Sequence, residues 1–229
     1  MINGKRIAAL VPMRHHSVRV IGKNYRNLAG KPLFHYILNT LLACDEIDEI
    51  VVDTDSPDVI SGIHQNFPKI KVIKRPAALC ADTIPMNEIL MFDTDQVKAD
   101  LYLQTHSTNP LLKSKTISEA IHSLVNQMPS YDSLFAVTRL QTRLWDALAR
   151  PVNHNPAILL RTQDLPPIYE ENSCIYLFSR ETLENKRNRI GERPLLFEIN
   201  REEAFDIDEE LDFLMADLMM QHQQKNDLI

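Results

Sequence analysis

Glycine is scarce in this chain. Five of its 229 residues are glycine, and none of them form GxGxxG or GxxxxGK followed by Ser or Thr. Gly22-Lys23 stands alone, so neither a glycine-rich dinucleotide fingerprint nor a P-loop is supported. Cysteine is scarcer still. Cys44, Cys80 and Cys174 are far apart and odd in number, which argues against a disulfide framework or a CxxC metal site and fits a reducing cytoplasm. His15, His16 and His106 have no HxxxH partner, so zinc is not expected. Positive charge is in deficit: 25 Lys and Arg against 31 Asp and Glu leave a net charge of −6, without the broad basic face that nucleic acid requires. Long apolar runs are missing too. Met1-Ile2-Asn3-Gly4-Lys5-Arg6 leads into a handful of apolar residues before Arg14, too few for a signal-peptide core or a membrane span. A soluble, cytoplasmic protein with no membrane or nucleic-acid partner is expected. No repeat, low-complexity tract or linker divides it, so one domain over 1–229 is expected. At 44% hydrophobic it holds enough apolar material for one substantial core.

What the chain does have is rhythm. Ile7–Val11 reads as a short buried strand, followed by a helix from about Pro32 with Leu33, Ile37 and Leu41 on one face. Glu49–Asp53 is the next strand, and Ser56-Pro57 then reads as an N-cap with proline at the first helical position. Lys71–Ile73, a helix after Pro85, Asp100–Gln104 and a helix over Lys115–Gln127 continue the alternation. This βαβαβαβα order predicts an α/β fold: a mostly parallel sheet with helices on both faces. Ser133–Thr138 and Cys174–Phe178 read as further strands, and Leu211, Leu214, Met215 and Leu218 as a helical stripe. Between them, residues 139–167 form a polar, proline-bearing stretch too long for an ordinary loop. Leu140, Leu144, Trp145, Leu148 and Ala157-Ile158-Leu159-Leu160 within it exceed what a small core would bury. Such a patch marks an interface or a lid folded over the chain's own site.

Four segments carry candidate chemistry. The first strand runs into Met13-Arg14-His15-His16-Ser17-Val18-Arg19-Val20-Ile21-Gly22-Lys23-Asn24, at the sheet edge where ligands of open α/β folds bind. Arg14, Ser17, Lys23 and Asn24 supply charge and donors for a polyanion such as a triphosphate, or else are surface residues of a solvated loop. Asp206-Ile207-Asp208 places two carboxylates on one side of an extended chain, suiting a hard divalent cation such as Mg²⁺. Asp208 also precedes a helix, where acids cap. Asp53-Thr54-Asp55 reads as a turn. Gln104-Thr105-His106-Ser107-Thr108-Asn109-Pro110 gathers neutral hydrogen-bonding groups that suit a sugar, or a capped loop.

These segments resemble, in order, the motifs of the acylneuraminate cytidylyltransferases, enzymes that make CMP-activated nonulosonic (sialic-type) acids. The similar stretches are VPMRHHSVRVIGKNYRNLAGKPL, KRPAALCAD, LQTHSTNPLL, QDLPPIYEENSCIYLFSR and AFDIDEELDF. The resemblance implies a Rossmann-like nucleotidyltransferase fold with a protruding dimerisation element, here residues 139–170, and a homodimer. It implies that Arg14, Ser17, Lys23 and Asn24 contact CTP, that Arg75 lies on the base side, and that Gln104 and Tyr176 serve the acceptor. Asp206 and Asp208 would hold Mg²⁺. The implied reaction joins CMP from CTP to the anomeric hydroxyl of a sugar acid and releases pyrophosphate, a step in building cell-surface polysaccharide. Arg14, Lys23, Asp206 and Asp208 would carry the catalysis. The alternatives are a different acceptor (a 3-deoxy sugar acid or a phosphonate) or a nucleotide-binding protein without catalysis. His15-His16, Val18, Ile84-Pro85-Met86 and Ser173 depart from the family's usual small residues, Lys, hydroxyl and Gly. Thr162 occupies the usual carboxylate-binding Arg position, leaving Arg161, one step earlier, as the substitute.

Overall fold

The computed structural model describes residues 1–226; residues 227–229 of the expected single domain lie outside them. In chain order the elements are β1 (Ile7–Met13), β2 (Asn27–Leu28), β3 (Lys31–Pro32), α1 (Phe34–Leu42), β4 (Glu49–Thr54), α2 (Pro57–Asn66), β5 (Lys71–Lys74), α3 (Met86–Gln96), β6 (Leu101–Gln104) and α4 (Ser114–Gln127). They continue with β7 (Ser133–Leu140), β8 (Ile168–Phe178), α5 (Arg180–Lys186), β9 (Pro194–Glu198) and α6 (Glu210–Asn226). Seven strands form one sheet in the order β5-β4-β1-β6-β8-β7-β9, and β2 and β3 form a small hairpin. Only β8 runs against the others, antiparallel to both β6 and β7. The mostly parallel sheet is therefore present.

β1 explains the architecture. All seven of its residues are buried, because it lies between β4 and β6 with a helical layer on each face. Ile7, Ala9, Val11 and Met13 join the cluster that includes Phe34, Ile37 and Leu41 of α1, Val59 and Ile63 of α2, and Ile117 and Ile121 of α4. Ala8 and Leu10 join the opposite cluster with Leu90 of α3 and Leu183 of α5. A strand buried on both faces needs no polar alternation, which is why it reads as a continuous apolar run. Ser56 caps α2 as expected, its side chain accepting from the Val59 amide, with Pro57 at the start of the helix.

The second half differs from the sequence-based expectation. β7 and β8 run beyond the expected Ser133–Thr138 and Cys174–Phe178, pairing with each other as far as Leu140 and Ile168. Together they form the base of an arm. Between Gln141 and Pro167 only Asn153 and Leu165 are buried. α5 and β9, both short, carry too little periodicity to be read from sequence. The stripe Leu211, Leu214, Met215 and Leu218 does lie on a helix, α6, but on its exposed side. Phe213, Ala216 and Met220 instead face a third apolar cluster with Val20, Leu28, Leu33, Leu111 and Ile207. The helix is apolar on both sides, so periodicity alone does not select the inner one. Among the described residues no helix is long and apolar enough to cross a membrane.

α2 packs on α1 through a glycine. A Cβ on Gly62 would lie 2.7 Å from the Phe34 ring, and that ring is itself wedged by edge contacts with His35 and Phe67. Gly62→Ala is expected to destabilise the protein by up to about 2 kcal/mol in urea unfolding, an overpacking cost of about 1–3 kcal/mol less the helix-propensity gain of about 1 kcal/mol. Unchanged or higher stability would show that the ring yields.

Candidate active site

At the carboxyl ends of β1, β5 and β6 lies a cavity of about 360 Å³, bordered by Arg14, Ser17, Lys23, Asn24, Arg75, His106, Ser107, Thr108, Asp206 and Asp208. Three of the chain segments that meet there are held in register by hydrogen bonds. Asn24 donates to the carbonyl of Arg14 at 2.7 Å and accepts from the Ser107 hydroxyl at 2.6 Å, tying the loop after β1 to the loop after β6. The Ile207 amide donates to the Thr108 carbonyl, and Asn109 donates to the Phe205 carbonyl. Lys23 donates to the Ile207 carbonyl at 2.6 Å. Gly22 makes this loop possible: its backbone is left-handed, and a Cβ there would strike the Tyr25 ring at 2.9 Å. His15 fixes the other side, its amide donating to Asp55 and its ring stacking on Tyr25.

The acid pair behaves as its spacing predicts. Ile207 is fully buried in the third apolar cluster, so Asp206 and Asp208 flank it on the cavity side. The amides of Asp208 and Glu209 are capped by the Asp212 carboxylate, and the Asp208 carboxylate instead accepts from Arg19 at 2.7 Å. Asp206 is more deeply set. Burial raises its pKa, against the Thr108 side chain that hydrogen-bonds it and the nearby Lys23 charge, while Asp208 adds to the rise. Burial likewise lowers the pKa of Lys23, opposed by Asp206 and Asp208. The Asp206 Oδ1 is buried with no hydrogen-bond partner. Among the described residues no group of three or more His, Cys, Asp or Glu forms a closed metal cage. Two carboxylates with an unsatisfied oxygen suit Mg²⁺, which typically takes one or two protein carboxylates and completes its shell from phosphate and water.

The other sequence-predicted residues fall in different places. Arg14 lines the cavity and pairs with Asp82. The Ser17 hydroxyl accepts from the Val20 amide. Gln104 and Tyr176 do not line the cavity; both are fully buried behind it, because each lies within the central strands β6 and β8. Arg161 is not brought to the cavity of its own chain. It sits on the arm, exposed, and forms a two-bond pair with Asp164. Ser173, which the resemblance sets against a usual glycine, has a left-handed backbone with φ 59° and borders the cavity. Here β8 bulges: two steps along β7, from Phe135 to Val137, are matched by five along β8, from Tyr176 to Glu171.

The sequence reading missed a buried charge cluster. Asp53 is no turn residue. It and Thr54 end β4, and its carboxylate is buried against Arg75, whose Nε donates at 3.0 Å. Asp93 of α3 lies close to that carboxylate, both of its own oxygens buried without a partner. Burial first, then the Asp53 charge, pushes the Asp93 pKa up to about 9, and burial raises that of Asp53 too, so the pair holds a proton at neutral pH. The bonds from Nε and Nη2 to Asp53 leave Arg75 Nη1 buried and unpartnered, and Arg75 borders the cavity. One signal was available. Asp93 stands four residues after Ile89 on the apolar side of α3, where an unpaired carboxylate has no place.

Against this geometry the comparisons with known proteins are decisive. A family model described as Cytidylyltransferase matches residues 8–228. The chain belongs to the cytidylyltransferase family. It is 27% identical to N-acylneuraminate cytidylyltransferase A of Danio rerio over 93% of this chain and 50% of that one. It is 29% identical to the CMP-N,N'-diacetyllegionaminic acid synthase of Legionella pneumophila over 96% of this chain and 98% of that one. The chain thus spans about half the length of the vertebrate relatives and nearly all of the Legionella relative. In fold it is similar to a CMP:2-keto-3-deoxy-manno-octonic acid synthetase solved with CTP, with a TM-score of 0.73, 15% identity and coverage of 95% and 99%. The expected family and nucleotidyltransferase fold are thereby established.

The Asp53–Asp93 pair has a pH signature. The folded pKa of Asp93 lies above the value of about 3.9 of an unfolded aspartate. Its stabilising contribution is therefore full below that value and is lost as pH rises toward 9. Asp93→Asn keeps a neutral donor and removes the titration. The variant is expected to gain on wild type by about 1 kcal/mol or more between pH 5 and pH 8 in denaturant unfolding. A difference independent of pH would contradict the protonated state.

Proposed function

We propose that this protein transfers CMP from CTP to the anomeric hydroxyl of a nonulosonic (sialic-type) sugar acid, with release of pyrophosphate. The observation that carries the reading is the convergence of Arg14, Lys23 and the Asp206–Asp208 pair on one cavity in a chain of the cytidylyltransferase family. The acceptor hydroxyl oxygen attacks the α-phosphorus and loses its proton to solvent water. The new P–O bond forms as the bond to the bridging oxygen of the β-phosphate breaks, and that oxygen leaves with pyrophosphate. No protein nucleophile is required, so the chain's work is positioning and charge neutralisation. Arg14 and Lys23 lie against the triphosphate, and Lys23 is aimed by the Ile207 carbonyl that it also contacts. Ser17 and the loop amides add donors. Arg75, held by Asp53, offers Nη1 to the base side. Asp206 and Asp208 would hold Mg²⁺, which when bound neutralises phosphate charge.

Support for a cytoplasmic site of action comes from three free cysteines. For the assembly, the proposal is a two-fold dimer joined through the arm. Trp145, Leu148, Val152, Ile158, Leu159 and Leu160 are all exposed on it, a patch of the kind that marks an interface. In such a dimer Arg161, outside its own cavity, stands at the subunit boundary near the acceptor pockets.

The test is incubation with CTP, Mg²⁺ and a panel of nonulosonic acids, 3-deoxy sugar acids and phosphonates, followed by pyrophosphate release. Turnover with a nonulosonic acid is expected. Folded protein that binds CTP and turns over none of the panel would overturn the reading, and preference for another acid class would move the acceptor. Asp206→Asn is nearly isosteric and is expected to fold while losing roughly a hundredfold or more in rate at saturating CTP and Mg²⁺, the scale of deleting one preorganised electrostatic contact. Wild-type rates in this variant would remove the metal assignment. Light scattering at micromolar concentration is expected to give twice the chain mass, and Trp145→Asp to lower it. A fully active monomer would eliminate the dimer.

A further inference from the structure

One row of side chains behind the cavity has no part in the reaction as described so far. It joins Arg189, in the segment after α5, to Gln104 at the end of β6 and to His106 in the loop that follows. A guanidinium has donors only. Arg189 Nη1 donates to Gln104 Oε1 at 2.6 Å, so the amide oxygen faces the arginine and Nε2 faces away. Nε2 donates to the Thr105 carbonyl at 3.2 Å and lies 2.8 Å from His106 Nε2. Two N–H groups cannot point at each other, so His106 presents a lone pair at Nε2 and carries its proton on Nδ1.

The row is rigid at its far end. The Arg189 guanidinium lies 3.5 Å from the centre of the Tyr176 ring, and the Tyr176 hydroxyl donates to Glu171. Gln104 and Tyr176 are fully buried, so no solvent competes for the amide. The imidazole is also kept uncharged: burial first, then the Arg189 and Lys23 charges, lower its pKa to about 3.

We propose that His106 is a specificity-determining hydrogen-bond donor, presenting a neutral Nδ1–H to an oxygen of the acceptor sugar acid, with Arg189 as the positioning residue that sets its tautomer through Gln104. The inference rests on the cytidylyl-transfer reading for the identity of the acceptor. It has a corollary for the chemistry. His106 is not the base that takes the hydroxyl proton, since one nitrogen is occupied by Gln104 and the other already bears hydrogen. His106 borders the cavity beside Ser107 and Thr108, on the loop whose neutral groups suit a sugar.

The experiment pairs spectroscopy with kinetics. In ¹⁵N-histidine NMR of the whole protein, with the His106 signals assigned by their loss in His106→Asn, the neutral Nδ1–H tautomer is expected from pH 6 to pH 8. An Nε2–H tautomer or an imidazolium in that range overturns the proposal. Gln104→Glu places an acceptor opposite His106 Nε2 and is expected to move the proton there; Arg189→Met frees the amide and is expected to populate both tautomers. An Nδ1–H tautomer undisturbed in both variants overturns the positioning role. With the acceptor identified by the panel, His106→Ala is expected to raise its KM roughly tenfold to a hundredfold, as for loss of a hydrogen bond to a charged group, with a smaller change in kcat. His106→Asn, which keeps a donor near Nδ1, is expected to recover most of that loss. A fall in kcat of about a hundredfold or more that Asn does not rescue would identify a base instead. The tautomer is read without turnover, so an inactive wild type with the Nδ1–H form would fault the cytidylyl-transfer reading and leave the hydrogen-bond row standing.

Discussion

Charge removed from water at the carboxyl ends of the strands is the constraint around which this molecule is organised. Lys23 and Asp206 share a partly dry wall, and burial drives each toward its neutral form. What keeps them apart and oriented is backbone: the Ile207 carbonyl accepts from Lys23, and the Ile207 side chain is locked in an apolar cluster. Each also opposes the other's shift, Asp206 and Asp208 raising the Lys23 pKa and Lys23 lowering that of Asp206. In the proposed reaction a polyanion and a divalent cation would add counter-charge to each. The same rule governs the layer beneath, where Asp53 and Asp93 are buried beside Arg75 and burial raises the pKa of both carboxylates. Neither arrangement is the most stable option for a core. Each fixes the position of a group at the cavity wall.

Much of this was legible in the amino-acid sequence, and the boundary has a physical cause. β1, β4 and β6 announce themselves as short apolar runs because each is buried on both faces or nearly so, the edge strand β5 shows only through Val72 and Ile73, and Ser56-Pro57 names a helix start by its chemistry. The phosphate-side residues were legible because cations and small polar groups cluster within a dozen positions of one strand end. The acid pair was legible because the i, i+2 geometry of extended chain is local. What escaped was non-local or faced the wrong way. Arg189 acquires its meaning from Gln104 and Tyr176, and Asp93 from Asp53, across distances in sequence that no period spans. α6 escaped in a different manner: its apolar residues were found, but only packing shows that Phe213 and Ala216 turn inward while Leu211 and Leu214 face out.

In the proposed reading, the acceptor side of the site is built on less regular structure than the nucleotide side. The loop bearing Arg14 and Lys23 leaves β1, a parallel strand buried on both faces, and Arg75 follows the edge strand β5. The opposite wall is β8, the one reversed strand, and it is bulged where Ser173 takes a left-handed conformation. Irregular backbone is where side chains can be re-aimed without disturbing a core. A fold arranged in this way can hold one nucleotide geometry constant while the acceptor wall changes. The relatives' differing acids, sialic in one case and legionaminic in another, are consistent with that division.

The cavity takes Arg14 and Lys23 from one loop and its carboxylates from residues 206–208, far apart in the sequence. A ribosome delivers the first group well before the second. Chains fold from the amino end as they emerge, so a nascent sheet of β1, β4, β5 and β6 already displays Arg14 and Lys23 while the carboxylates are still unmade. During that interval the cationic loop has neither the Ile207 carbonyl to orient Lys23 nor Asp206 and Asp208 to balance it. The charge balance of the cavity wall is therefore completed only once residues 206–208 have joined the fold.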